Sequence, residues 1–202
     1  SRVFSMSLAT SLLMYASNFL LVFRMSLYLL YVKELGPSDA GQVILVQALS
    51  MAIMAPLSGK LADRFEPRLV ATLGCIIVAC GLYILSLMNT ETSITYIVCS
   101  LLLIGFGFGL FSTPNNNAIM GGVQVHEVGV ASASMSLSRT IGNLFGMSLV
   151  NLMVHYYLGN AQFTQEQNPA LIQTVEMALN MSLVFVVVAC VISALRGKSR
   201  TA

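Results

Sequence analysis

Six apolar runs follow one another along this chain, each about twenty residues or longer and joined by mostly short polar segments. That length is what a helix needs to cross roughly 30 Å of hydrocarbon. Membrane strands are about ten residues of alternating polarity, a pattern these runs lack. The expected spans are 3–32, 40–61, 69–88, 94–120, 128–157 and 169–195. The last begins between Pro169 and Met177, with Asn168 as a cap and Pro169 at the first helical position. Composition excludes the soluble alternatives. Of 202 residues, 56% are hydrophobic and 9% charged, against roughly 25% charged in ordinary globular domains. So few charges cannot cover a soluble surface, and so much apolar area cannot stay disordered. A net charge of +2 without a basic tract gives no footprint for nucleic acid. The fold class is an all-α membrane protein of six transmembrane helices, with the lipid bilayer as its first partner.

The chain starts Ser1-Arg2 without Met and enters its first apolar run at once, which reads as a cut within a longer polypeptide. With six spans both termini share a side. That side carries Arg2, Lys60, Arg64, Arg68, Arg196, Lys198 and Arg200, and the other only Lys33. Positive residues favour the cytoplasmic face, so both termini are expected inside, in the plasma or inner membrane. The connector 158–168 is Gln- and Asn-rich and reads as a solvated outer loop. Cys75, Cys80, Cys99 and Cys190 lie inside apolar runs without metal-like spacing, so free packed thiols are expected and no metal or cofactor.

Polar residues inside the spans carry the functional information. An Arg in mid-helix costs about 2.5–3.5 kcal/mol in lipid, so Arg139 must face protein or water. It lies eleven residues into the fifth span, roughly halfway across at about 1.5 Å per residue, with Asn143 one turn on. Arg139 either binds backbone within a packing seam or borders a hydrated cavity. Beside it Ser134, Ser138, Gly142 and Gly146 recur every four residues, a ridge of small side chains that admits a close neighbour. Arg24 reads as an anchor reaching the outer interface. In the fourth span Gly105, Gly107 and Gly109 suit close helix contact, since no strand–loop–helix context supports a nucleotide loop. Pro114 predicts a kink, and Asn115-Asn116-Asn117 follow it. Tyr15 and Asn18 share a face of the first span, as Gln47 and Met51 do on the second. The candidate cavity set is thus Tyr15, Asn18, Gln47, Met51, Phe111, Asn115, Arg139 and Asn143. No acidic residue lies in the middle of a span, and no hydrolase, metalloprotease or Walker motif is present. Neither an enzyme nor an ATP-driven pump is expected.

The segment Gly59-Lys60-Leu61-Ala62-Asp63-Arg64 resembles the Gly-x-Leu-Ala-Asp-Arg signature of the major facilitator superfamily. Met25-Ser26-Leu27-Tyr28-Leu29, Ala40-Gly41, Pro56-Leu57-Ser58-Gly59, Phe108-Gly109-Leu110-Phe111-Ser112-Thr113-Pro114-Asn115 and Gly129-Val130-Ala131-Ser132-Ala133 follow in order. Together, over about residues 25–146, they resemble the C-terminal half of the fourteen-span drug:proton antiporters. The resemblance implies a half-transporter built as a 3+3 inverted repeat. The first and fourth spans would line the cavity, the second and fifth would face the missing N-terminal half, and the third and sixth would face lipid. Gly59, Asp63, Arg64 and Arg68 match the family's gating loop. There Asp63 would bind the positive N-terminus of a helix in the other half, or else pair with Arg64 or Arg68 in solvent. Glu66-Pro67 departs from the family's Gly and basic residue.

The function so implied is proton-driven efflux of a small amphipathic, cationic compound by alternating access, with the coupling carboxylates in the absent half. The rivals are a metabolite or sugar permease of the same superfamily, for which an anionic substrate would occupy Arg139 and Arg24, and a membrane scaffold without transport. The missing N-terminal half, or a second copy of this chain, is the expected protein partner.

Overall fold

The structure is a computed structural model that describes residues 2–89, 91–121, 123–158 and 169–196. Six long helices run through it: α1 (Arg2–Leu27), α2 (Pro37–Arg64), α3 (Pro67–Ser86), α4 (Ile94–Met120), α5 (Val128–Leu158) and α6 (Pro169–Leu195). Among the described residues five are long and apolar enough to cross a membrane. The exception, α5, has 31 residues but carries the Ser, Gly and Asn positions and Arg139. α1 does not stop at Leu27; it widens into a π turn over Tyr28–Val32.

Local chemistry sets the ends. Pro37 and Pro67 occupy the first helical turn of α2 and α3, where their missing amide costs nothing. Consequently α2 begins three residues before the expected Ala40. It also runs past Leu61 to Arg64, leaving only Phe65 and Glu66 before α3. The Ser93 hydroxyl caps α4 by accepting from Tyr96 N at 3.3 Å. The expected solvated loop lies outside the described residues from 159 onward, as do Lys198 and Arg200.

The helices form two triplets. α4 packs between α2 and α3, α1 packs between α5 and α6, and the triplets join through α3 against α6 and α1 against α4. Exchanging α1 with α4, α2 with α5 and α3 with α6 leaves this pattern of neighbours unchanged. The bundle is a 3+3 inverted repeat.

Glycine makes the closest seams. On α5, Ser138 Oγ donates to Leu8 O at 2.7 Å, and a Cβ at Gly142 or Gly146 would meet Leu12 O or Ala16 O at 2.5 or 2.8 Å. On α4, Gly105 and Gly109 lie equally close to Gln47 O and Met51 O of α2, while Gly107 faces Gly74 O of α3. The alternating glycines of α4 therefore serve two neighbours on two faces. The small-residue ridge of α5 packs within this bundle, against α1, and is not the contact with a missing half that the sequence suggested. Ser134 departs from the ridge, its hydroxyl bonding Val130 O of its own helix at 2.8 Å.

The core lies where α1, α3, α4 and α6 meet, around Met14, Leu21, Met25, Cys75, Leu82, Ile104, Phe108 and Val186. Outward faces stay apolar. Leu45, Leu49, Ile53 and Leu57 form an exposed stripe on α2, and a 570 Å³ groove between α3 and α6 is lined by residues such as Ile76, Tyr83 and Val187. Such continuous apolar surface fits lipid or another bundle.

Candidate functional site

The inverted repeat brings α1 and α4 together as a central wall flanked by α2 and α5. Two side-chain bonds brace that wall, and the pseudo-two-fold relates their helices. Gln47 on α2 donates Nε2 to Asn18 Oδ1 on α1 at 2.7 Å. Arg139 on α5 donates Nη2 to Asn116 Oδ1 on α4 at 2.9 Å. One brace is neutral and the other charged. Gln47 lies within about a turn of the midpoint of α2, so the neutral brace is near mid-depth.

Between the braces stands Tyr15. Its ring meets Phe108 edge-on, with centroids 5.4 Å apart and planes at 84°, and the Arg139 guanidinium carbon lies 5.4 Å from its centroid. That distance is within cation–π range. Phe111 stacks behind Phe108 at 6.0 Å and is only 1% exposed, so it belongs to the core and not to the wall. Met51 is half-buried with its backbone against Gly109, and Asn143 is exposed one turn beyond Arg139.

The α1–α5 register fixes the depth of Arg139. Since Ser138 meets Leu8, Arg139 is level with Ala9, nine residues from Asn18. At about 1.5 Å per residue it lies about 13 Å toward the end that carries Arg2 and Lys60. Half-depth was expected because the count began at Val128, but the Arg139 partner Asn116 lies only about one turn from the end of α4 at Met120.

Asn115 was expected on the cavity wall and is instead fully buried. Its Nδ2 donates to Ser11 Oγ at 2.8 Å and Ser7 O at 3.2 Å, while its Oδ1 accepts from Arg196 Nη1 at 2.7 Å. Arg196 also donates to Ser7 Oγ at 3.2 Å. Sequence counting had made Arg196 a surface marker of topology. It is 1% exposed and closes the end of α6 onto α1 and α4. Burial pulls its pKa from the usual 12.5 down to about 10, which leaves it charged at neutral pH. Arg24 is also interior, at 3% exposure, because α1 continues past it and turns that face inward. Of the neighbouring residues, sequence reasoning missed the contact of Asn116 with Arg139 and the core contact of Phe108 with Tyr15. The available signal was the run of three Asn, which a helix spreads by about 100° each, so only one of them can point inward.

Gly59, Asp63 and Arg64 lie in the last turns of α2, and Arg68 begins α3. Asp63 and Arg64 are exposed, and Arg68 pairs with Glu66 through Nε and Oε1 at 3.8 Å. A carboxylate at a helix C-terminus faces the negative end of the dipole, so Asp63 gains nothing from its own helix.

Comparison with known proteins extends this picture. The family model described as Major Facilitator Superfamily matches residues 1–147. The chain is 32% identical over 158 residues to the uncharacterized transporter YebQ of Escherichia coli (strain K12), covering 78% of this chain and 35% of that protein. It is 28% identical over 159 residues to the multidrug efflux pump LfrA of Mycolicibacterium smegmatis, covering 76% and 32%. To the riboflavin transporter RibZ of Clostridioides difficile it is 29% identical over 131 residues, covering 65% and 28%. The chain thus spans about a third of the length of these curated relatives. A bacterial homologue of the human drug peptide transporters PepT1 and PepT2 shares the fold at a TM-score of 0.76 and 20% identity, covering 96% of this chain and 41% of that one.

Proposed function

Because the chain belongs to the Major Facilitator Superfamily, and is therefore an integral multi-pass membrane protein with the six-helix half fold of that family, we propose that it forms the C-terminal half of a secondary exporter of amphipathic compounds. The observation that supports this is the α1–α4 wall, with Tyr15 and the Asn18–Gln47 brace near mid-depth and the Arg139–Asn116 brace toward the Arg2 end. Polar side chains held at that depth belong beside water or substrate. In this reading the wall closes half of a central cavity, and the other half supplies the opposite wall. The exposed stripes of α2 and α5 meet that partner half, α3 and α6 meet lipid, and the Arg2 end is cytoplasmic in the plasma or inner membrane.

The eight carboxylates of this chain are at positions 34, 39, 63, 66, 91, 127, 166 and 176, and the seven among the described residues fall in connections or within about two turns of a helix end. A titrating coupling group therefore belongs to the other half, and proton entry drives export through it. Asp63 acts at the cytoplasmic gate. The test is transport by the assembled protein in proteoliposomes. An imposed pH gradient should drive accumulation of an amphipathic dye, and collapse of the gradient should stop it. Accumulation indifferent to the gradient defeats proton coupling.

A second reading, a permease for an organic anion, is favoured by one specific observation: Arg139 stands on the wall with no carboxylate partner among the described residues.

A further inference from the structure

Arg139 is held on two sides and unsatisfied on a third. Nη2 bonds Asn116, the guanidinium lies over Tyr15, and Nε is buried without a hydrogen-bond partner. A cation inside a membrane protein is costly unless an opposite charge meets it, and among the described residues every carboxylate lies near a helix end or in a connection. The missing anion therefore arrives from outside this bundle.

We propose that Arg139, Tyr15 and Asn116 form the recognition point for an anionic group on an aromatic substrate. This deepens the transport reading above and rests on it. The Arg139 guanidinium supplies the charge and directional donors for a carboxylate, sulfonate or phosphate. Asn116 holds the guanidinium at the edge of the wall. Tyr15, half-buried and steadied from behind by the edge of the buried Phe108, offers the ring against which the aromatic part lies. Asn143, exposed one turn away, adds an amide to the same flank of α5.

The anion belongs to the substrate and not to the other half of the protein because of where Arg139 points. Seated on α1, α5 has one flank toward α4, carrying Arg139 and Asn143, and another toward α6, where Phe145 meets Phe185 at 5.9 Å. Its outermost face carries Leu137, Ile141 and Leu144, all exposed. That apolar face suits a permanent protein contact. The Arg139 flank is polar and aromatic and opens beside Tyr15, as a transient ligand site must. The wall thus selects an aromatic anion over the cationic compound expected from the sequence.

Three probes with one aromatic body test this in the assembled, detergent-purified protein: 2-naphthoate, 2-naphthalenemethanol and 2-naphthylmethylamine. The wild type should bind naphthoate most tightly and the amine most weakly. Arg139→Gln should weaken naphthoate by about tenfold or more while leaving the other two within about twofold. Arg139→Lys keeps the charge but loses the planar fork, and should bind naphthoate more weakly than the wild type and more tightly than Arg139→Gln. The wild-type affinity order judges the proposal even if Arg139→Gln fails to fold. Equal or tighter binding of the amine overturns it, as does equal weakening of all three probes by Arg139→Gln. Tighter amine binding by that variant, with naphthoate unchanged, also overturns it and identifies a carboxylate of the other half as the partner. After reconstitution into proteoliposomes, a wild type that transports all three probes at equal rates overturns this selectivity alone. A wild type that neither binds nor transports any of them overturns the transport reading as well.

Discussion

Asn115 and Asn116 are consecutive in α4, yet they hold two different arginines on two sides of the helix. Asn115 Oδ1 accepts from Arg196 at 2.7 Å inside the bundle, and Asn116 Oδ1 accepts from Arg139 at 2.9 Å at its open wall. Successive helical residues point about 100° apart, which is enough to divide a structural contact from an exposed one. The residue before them is Pro114, which leaves the carbonyl of Leu110 without its helical donor. The two arginines thus fasten the post-proline end of α4 to α6 and α1 on one side and to α5 on the other.

The inner fastening governs stability. Arg196→Ala leaves the Asn115 carbonyl oxygen and Ser7 hydroxyl buried without their donor, and should destabilise the protein by about 2–4 kcal/mol. Arg196→Met combined with Asn115→Leu removes both partners and should recover much of that loss. Thermal unfolding in detergent reads both. Unchanged melting of Arg196→Ala would show that the knot contributes nothing.

Backbone contact at the α1–α5 seam predicts a steep size limit. A Cβ at Gly142 would stand 2.5 Å from Leu12 O, so Gly142→Ala should cost about 1–3 kcal/mol as the helices are forced apart. Gly41, also helical, has nothing within 4 Å of the same atom, and Gly41→Ala should be neutral or stabilising by up to about 1 kcal/mol. Comparing the two melting curves separates crowding from helix propensity. Equal effects at both positions would mean the seam is looser than described.

Water access distinguishes wall from outer surface. With the protein in a bilayer, a membrane-impermeant maleimide should modify Asn143→Cys rapidly. It should leave Cys80, exposed beside the α3–α6 groove, and Cys75, fully buried, untouched. Preferential labelling of Cys80 would reverse the assignment of the two sides.

Asp63 should matter for motion and not for folding. It is exposed at the C-terminal end of α2, and Asp63→Asn should shift stability by no more than about 0.5 kcal/mol. Transport in proteoliposomes should fall by about tenfold or more if the carboxylate closes a gate against a helix of the other half. Full transport by Asp63→Asn would leave it a solvated surface charge.

The helices were legible because each apolar run reports its own length, and the ends moved by only a few residues where Pro37 and Pro67 started helices early. The small-residue ridge of α5 was equally visible, but spacing identifies the close-packed face without saying which helix fills it. Its partner is Leu12 and Ala16 of α1, far away in the chain. Arg196 was hidden for the same reason. Its acceptor lies 81 residues away, and a basic residue at the end of a span looks alike whether it meets solvent or a buried amide. Arg139 stood out because an intramembrane charge is conspicuous by itself, whereas its depth depended on how α5 is seated on α1.

The glycines of α4 reach backbone to backbone toward α2 on one side and α3 on the other, and α5 repeats the arrangement on α1. Helices joined this way have no side-chain cushion between them over which to slide. Within the bundle α2, α3 and α4 therefore resist sliding as one unit and α1 with α5 as another, and bending is easiest outside these seams, as at the π turn beyond Leu27.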